Sequence, residues 1–225
     1  MGTFETIGTQ VGGTRAWIAG DPTPGRPGVV VLHAWWGLNE DVRGFADRLA
    51  DAGFAVAVPD LYRGPVASTI DEAERLSDAA DQAAVDAIAL AAIDDLVGRL
   101  GPSSGIACVG FSFGAAWSIW AAAERDAVAA SVVYYGTVLG PSLARASVPV
   151  LGHFAESDPY EPDESVEAFE SALRAAGREA TIHRYPGTGH WFAEPSRDAY
   201  RPVAAELAFG RTVDFLARHL GSSGG

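Results

Sequence analysis

Residues Gly110-Phe111-Ser112-Phe113-Gly114 fit the pattern G-x-S-x-G, in which a serine sits on a sharp turn between a strand and a helix. The setting gives the pentapeptide its weight. A short apolar run, residues 105–109, leads into Gly110, and the helix-compatible run 115–123 follows Gly114 directly. Such a turn forces its central residue into a strained conformation, so small residues must flank it. The helix N-terminus behind it favours developing negative charge. The bland alternative is a tight turn with an incidental serine.

A serine hydroxyl is a weak nucleophile and needs a base within hydrogen-bond reach, which in this arrangement comes later in the chain, after an acid. His183 lies inside a strand-like run, whereas His190 lies in the Gly-rich stretch Gly187-Thr188-Gly189-His190-Trp191-Phe192 before the last helical segment. His190 is therefore the expected base, and His183 and His219 read as surface or packing residues. The acid should follow the preceding strand, where Ala155-Glu156-Ser157-Asp158-Pro159 offers two carboxylates. Asp158, directly before a proline, suits the turn that would hold it. A buried carboxylate there would fix the imidazole tautomer and stabilise the imidazolium, against the plainer reading of a turn-forming Asp.

Positioning three distant residues requires a scaffold, and short apolar runs alternate with longer amphipathic ones along the whole chain. That is the pattern of an α/β fold with a mostly parallel sheet covered on both faces. Strands are expected at 15–18, 29–33, 55–59, 105–109, 130–135, 148–154 and 180–185, and helices at 40–52, 71–100, 113–124, 165–176 and 197–220. The long Ala-rich segment is expected to break near Asp81, before the series Val85, Ile88, Ala92, Leu96. Gly53, Gly101 and Gly177 follow three helices as stops. Residues 20–28 read as a loop and 221–225 as a frayed tail.

A chain of 225 residues with 48% hydrophobic content suits one domain, 1–225. No run approaches the roughly 18 apolar residues of a membrane span, and the first ten residues lack a secretory signal's features, so a soluble, cytoplasmic protein is expected. The net charge of −13, with no Lys, repels phosphate backbones and anionic lipids, which argues against nucleic acid and membrane partners. Cys108, alone in an apolar run, reads as a core residue. No metal-binding His spacing occurs, and neither metal nor organic cofactor is expected.

Over nearly its whole length the sequence resembles the dienelactone hydrolase family, a branch of the α/β-hydrolases. The resemblance is carried by Val31-Leu32-His33-Ala34-Trp35-Trp36-Gly37-Leu38-Asn39, Pro59-Asp60-Leu61-Tyr62, Tyr134-Tyr135-Gly136, Asp158-Pro159-Tyr160-Glu161-Pro162 and Gly189-His190-Trp191-Phe192, in that order. It implies Ser112, Asp158 and His190 as a catalytic triad, with the backbone N–H groups of Trp35 and Phe113 as oxyanion donors. Trp36, Tyr160, Trp191 and Glu194 are the expected pocket residues; Trp36 is equally readable as core.

Three positions depart from the family pattern. Well-known members carry Cys where this chain has Ser112, and a Glu where it has Ala34. A hydroxyl needs only the ordinary relay through His, so the two differences agree. The position four residues after the catalytic His, an Arg in dienelactone-cleaving members, is Glu194. A carboxylate at the site mouth would repel anionic substrates; Arg63, Arg197 and Arg201 are the available compensating cations. The expected activity is hydrolysis of a small ester or lactone through an acyl-enzyme. Acyl transfer or perhydrolysis by the same intermediate, or a binding protein without turnover, are the alternatives; oligomeric state is not legible.

Overall fold

A computed structural model of the chain describes residues 1–10 and 12–221; of the tail expected at 221–225, residues 222–225 lie outside the described part. The elements run β1 (Thr3–Ile7), β2 (Thr14–Ala19), β3 (Gly28–Leu32), α1 (Glu40–Asp51), β4 (Ala55–Pro59), α2 (Ile70–Ala79), α3 (Gln82–Leu100), β5 (Ile106–Phe111), α4 (Phe113–Glu124), β6 (Val128–Tyr134), α5 (Pro141–Arg145), β7 (Val150–Ala155), α6 (Asp163–Ala175), β8 (Ala180–Tyr185) and α7 (Pro202–Leu220). The strands form one sheet in the order β1-β2-β4-β3-β5-β6-β7-β8. Pairing is antiparallel from β1 through β2 to β4 and parallel from β4 to β8. This is the α/β-hydrolase fold.

Every residue of β3, β4, β5 and β7 is buried, as a sheet covered on both faces requires. Helices α1 and α7 contribute to the core on one face, and α3 and α4 to that on the other. Helix α1 buries Val42, Phe45, Ala46 and Leu49, one stripe at helical spacing, and Asn39 caps its start by accepting from the Val42 N–H.

The seven runs read as strands all form strands, with ends moved by two residues or fewer. β1 was not anticipated: it is a half-exposed edge strand with a Glu at its centre, and its apolar alternation spans too few residues to register. The break near Asp81 is present, with the Asp81 carboxylate capping α3 at the Ala83 N–H. The helix expected from residue 197 starts instead at Pro202. A proline disfavours the helical conformation in the residue before it, and Arg201 is extended (φ −129°, ψ 95°). Among the described residues, no helix is long and apolar enough to cross a membrane.

The chain goes from β3 to β4 on one side and returns to β5 on the other. A crevice therefore opens at the carboxyl ends of β3 and β5, where open α/β sheets place ligands. The segments carrying Trp35, Ser112, Tyr135, Asp158 and His190 follow β3, β5, β6, β7 and β8 respectively.

Candidate active site

Ser112 ends β5 and begins α4 with φ 46° and ψ −109°, a conformation that side-chain-bearing residues rarely adopt. The turn is held by the Ser112 N–H, which donates to the Tyr134 carbonyl at 2.8 Å. It is also held by close packing. A Cβ on Gly110 would sit 2.6 Å from the Ala115 Cα, and one on Gly114 would run into the end of β3, 2.7 Å from the His33 carbonyl. Only glycine fits at either position, so the pentapeptide records a backbone constraint.

Ser112 Oγ lies 3.0 Å from His190 Nε2, and His190 Nδ1 lies 2.6 Å from Asp158 Oδ2. The side chains of His190 and Asp158 are almost completely buried, at 4% and 2% exposure. The second Asp158 oxygen accepts from the Tyr160 and Glu161 N–H groups at 2.9 and 3.1 Å. A carboxylate committed to three donors is an acceptor only, so Nδ1 must carry the proton and Nε2 presents its lone pair to the hydroxyl. The structure thus brings together the three residues singled out from sequence. Glu156 is exposed and accepts from the Gly187 N–H at 2.9 Å, bracing the base of the His190 loop.

Neither the Trp35 N–H nor the Phe113 N–H donates to a described residue. Phe113 is the first residue of α4, whose leading N–H groups have no intrahelical acceptor. The Trp35 loop is set by His33, the first residue after β3. Its ring is buried; Nε2 accepts from the Leu61 N–H at 3.1 Å and Nδ1 donates to the Ala34 carbonyl at 2.7 Å. Burial pushes its pKa down, so it is a neutral strut between the loops after β3 and β4.

The rings of Tyr135, Tyr160 and Trp191 surround His190 at 4.9, 4.9 and 5.0 Å. Trp35 joins Tyr160 and Trp191 at 5.5 and 5.9 Å. Tyr160 is exposed and Trp35 and Trp191 half-buried, so they form the outer aromatic wall. Trp36 is only 1% exposed and packs inward, with the Arg197 guanidinium over its ring at 3.7 Å.

Glu194 departs from expectation. It is not a charged group at the mouth: it is 5% exposed, accepts from the Tyr135 hydroxyl at 2.9 Å, and burial pushes its carboxyl up to about 8. Below that pH it is mainly the neutral acid, and it does not oppose an anionic substrate through charge. With Ala34, Trp36, Asp41, Phe45 and Phe111 it lines a small internal cavity. The cavity's free volume, measured for the centre of a water molecule, is about 10 Å³, close to the least that one water needs. Two of the cations considered as compensation have other partners. Arg197 lies over Trp36 and Arg201 binds the Asp198 and Tyr200 carbonyls.

His183 and His219 lie elsewhere. His183 stacks on His153 at 6.0 Å, beyond which His153 binds the Tyr185 hydroxyl at 2.7 Å and the Thr212 hydroxyl at 3.0 Å. Cys108 is fully buried in β5, where burial pushes its thiol up to about 12, the inert packing residue expected. Among the described residues, no cluster of three or more His, Cys, Asp or Glu is arranged to hold a metal.

Comparison with known proteins places the chain in a family and a fold. Residues 14–220 match the dienelactone hydrolase family. "Protein usf" of Aquifex pyrophilus is 32% identical, covering 98% of each chain. A Bradyrhizobium sp. protein named "Probable 2-oxo-3-(5-oxofuran-2-ylidene)propanoate lactonase" is 28% identical over 95% of this chain and 93% of its own. Among solved structures, the "Dienelactone Hydrolase-like Promiscuous Phospotriesterase P91" from metagenomic libraries superposes with a TM-score of 0.82 at 24% identity, covering 98% of this chain and 99% of that one.

Proposed function

The chain belongs to the dienelactone hydrolase family, and on that premise we propose that it is a serine hydrolase cleaving small carboxylic esters or lactones through an acyl-enzyme. The observation that carries the reading is the unbroken hydrogen-bonded chain from Ser112 Oγ through His190 to Asp158. His190 Nε2 takes the hydroxyl proton as Oγ attacks the substrate carbonyl carbon. The Trp35 and Phe113 N–H groups receive the oxyanion, each worth about 3 kcal/mol of barrier by mutational precedent. Asp158 holds the imidazole tautomer and stabilises the imidazolium.

Collapse of the tetrahedral intermediate breaks the C–O bond, and His190 returns its proton to the leaving oxygen. That oxygen departs as an alcohol from an ester and stays attached to the acyl group from a lactone. Water then attacks the acyl carbon, giving its proton to Nε2, and the acid leaves as Ser112 recovers its hydroxyl. The wall of Trp35, Tyr160 and Trp191 favours neutral aryl or short-chain substrates, because it offers apolar surface and no fixed charge. A panel of neutral esters and lactones run beside Ser112→Ala tests the assignment: turnover should fall by at least about a thousandfold on every substrate. Retention of turnover by the variant would remove Ser112 from the chemistry.

A further inference from the structure

The acid loop is fastened to its neighbour by a contact outside the relay itself. Glu161 lies three residues after Asp158, between β7 and α6, and its carboxylate faces Thr137 in the loop after β6. One oxygen accepts from the Thr137 backbone N–H at 3.0 Å and the other from the Thr137 hydroxyl at 2.7 Å. Two parallel bonds from one residue fix a carboxylate's orientation as well as its distance. Glu161 is half-buried, and among the described residues no cation forms an ion pair with it. Burial raises its pKa while the Thr137 bonds hold it down.

Both ends of this contact reach the reacting groups. The Glu161 N–H donates to Asp158 Oδ1, beside the Tyr160 N–H, so one residue grips the carboxylate that orients His190. Thr137 follows Gly136, which packs so closely on the elbow that a Cβ there would lie 2.7 Å from the Ser112 carbonyl oxygen. The preceding Tyr135 rests its ring on His190. We propose that Glu161 is a positioning residue, clamping the Asp158 loop to the Tyr135–Gly136–Thr137 turn so that Asp158 stays in register with His190. The proposal rests on the Ser112–His190–Asp158 reading above.

The test uses p-nitrophenyl acetate turnover by the whole chain and a double-mutant cycle. Glu161→Ala should lower kcat by about tenfold to a hundredfold, the cost of a displacement near 1 Å, with KM changed by less than about threefold. Glu161→Gln keeps an acceptor for the Thr137 N–H and gives the hydroxyl a donor, so kcat should stay within about threefold of wild type. Thr137→Val, which loses only the hydroxyl bond, should fall between them and serves if Glu161→Ala does not fold. In an Asp158→Asn background both damaging changes should cost less than about twofold, because the clamp acts only through Asp158. An undiminished cost in that background, a Gln variant as impaired as the Ala variant, or wild-type kcat in both Glu161→Ala and Thr137→Val overturns the clamp. If Asp158→Asn itself keeps wild-type kcat, the relay reading fails and the clamp fails with it. A clamp that fails alone leaves Asp158→Asn strongly impaired.

Discussion

His190 and His153 are both buried and bonded at both ring nitrogens, and their surroundings differ in one decisive respect. His190 stands between a carboxylate and a serine hydroxyl at the open end of the sheet, with Ser112 only partly buried. His153 stands between the Tyr185 and Thr212 hydroxyls, and Thr212 is bonded in turn to Tyr134 at 2.7 Å. His153, Tyr134, Tyr185 and Thr212 are all buried. Hydroxyls satisfy an imidazole's hydrogen bonds but do not stabilise its positive charge, and burial pushes the His153 pKa well below its ordinary value of 6.5. A carboxylate can support the charge that general base catalysis creates. Burial and full bonding thus describe both sites, while only one has the charge partner and the access that turnover needs.

The widest separation between the two should come from breaking each in turn. Asp158→Asn should lower kcat by about 10³ to 10⁴ fold through the wrong His190 tautomer, while leaving the melting temperature within a few degrees. Glu156→Gln should change kcat by less than about threefold, since Gln keeps an acceptor for the Gly187 N–H that Glu156 binds. Steady-state kinetics on a neutral ester decides both; the larger loss in Glu156→Gln would reassign the acid.

His153→Phe should do the reverse. It removes the ring's bonds to the Tyr185 and Thr212 hydroxyls in the core, at a cost of about 2 to 4 kcal/mol, and should lower the melting temperature by about 5 to 10 °C with kcat at 25 °C within about threefold. Because the folded-state pKa of His153 is depressed, its stability contribution is present above about pH 6.5 and is lost as pH falls. The variant should therefore lose less stability on acidification than wild type, and a proportionate fall in kcat would erase the contrast between the sites.

Glu194 supplies a smaller test. Its folded-state pKa is raised from 4.5 to about 8, so its contribution is fully present below about pH 4.5 and is lost as pH rises through 8. Glu194→Gln should melt higher than wild type at about pH 9, by on the order of 5 °C, and differ little at about pH 5. Thermal melts at the two pH values check this. The same titration should raise the preference for a neutral ester over its carboxylate-bearing analogue severalfold between pH 7 and 9 in wild type, and not in Glu194→Gln. The smallest expected effect is coupling at Ala34: adding Ala34→Glu should help Ser112→Cys more than it helps the serine enzyme, and equal effects in both backgrounds would remove the coupling.

The relay was legible in the sequence because each member occupies a position that backbone geometry marks. Gly110 and Gly114 announce the turn at Ser112, Pro159 follows the acid, and glycines flank the His190 loop. Strands β3 to β7 were legible as largely apolar runs, and β2 and the edge strand β8 as mixed runs with β-branched and aromatic residues. The other edge strand, β1, was not, since five residues with only Ile7 buried leave too short a pattern. Glu194 was misread because burial is a tertiary property: a carboxylate beside three loop residues looks solvated until Tyr135, from a strand end distant in sequence, is seen to cover it. His33, Tyr135 and Glu161 escaped as positioning residues for the same reason, their partners being 28, 59 and 24 positions away. The available signals were their places within the family signatures and, for His33 and Tyr135, directly after strand ends, where this fold gathers its functional loops.

The central claim is that Ser112, activated by His190, is the nucleophile, and labelling with a fluorophosphonate tests it most directly. Intact mass should rise by one adduct, peptide mapping should place it on Ser112, and Ser112→Ala should take up none. Adduct on another residue, or none on folded protein, would contradict the account.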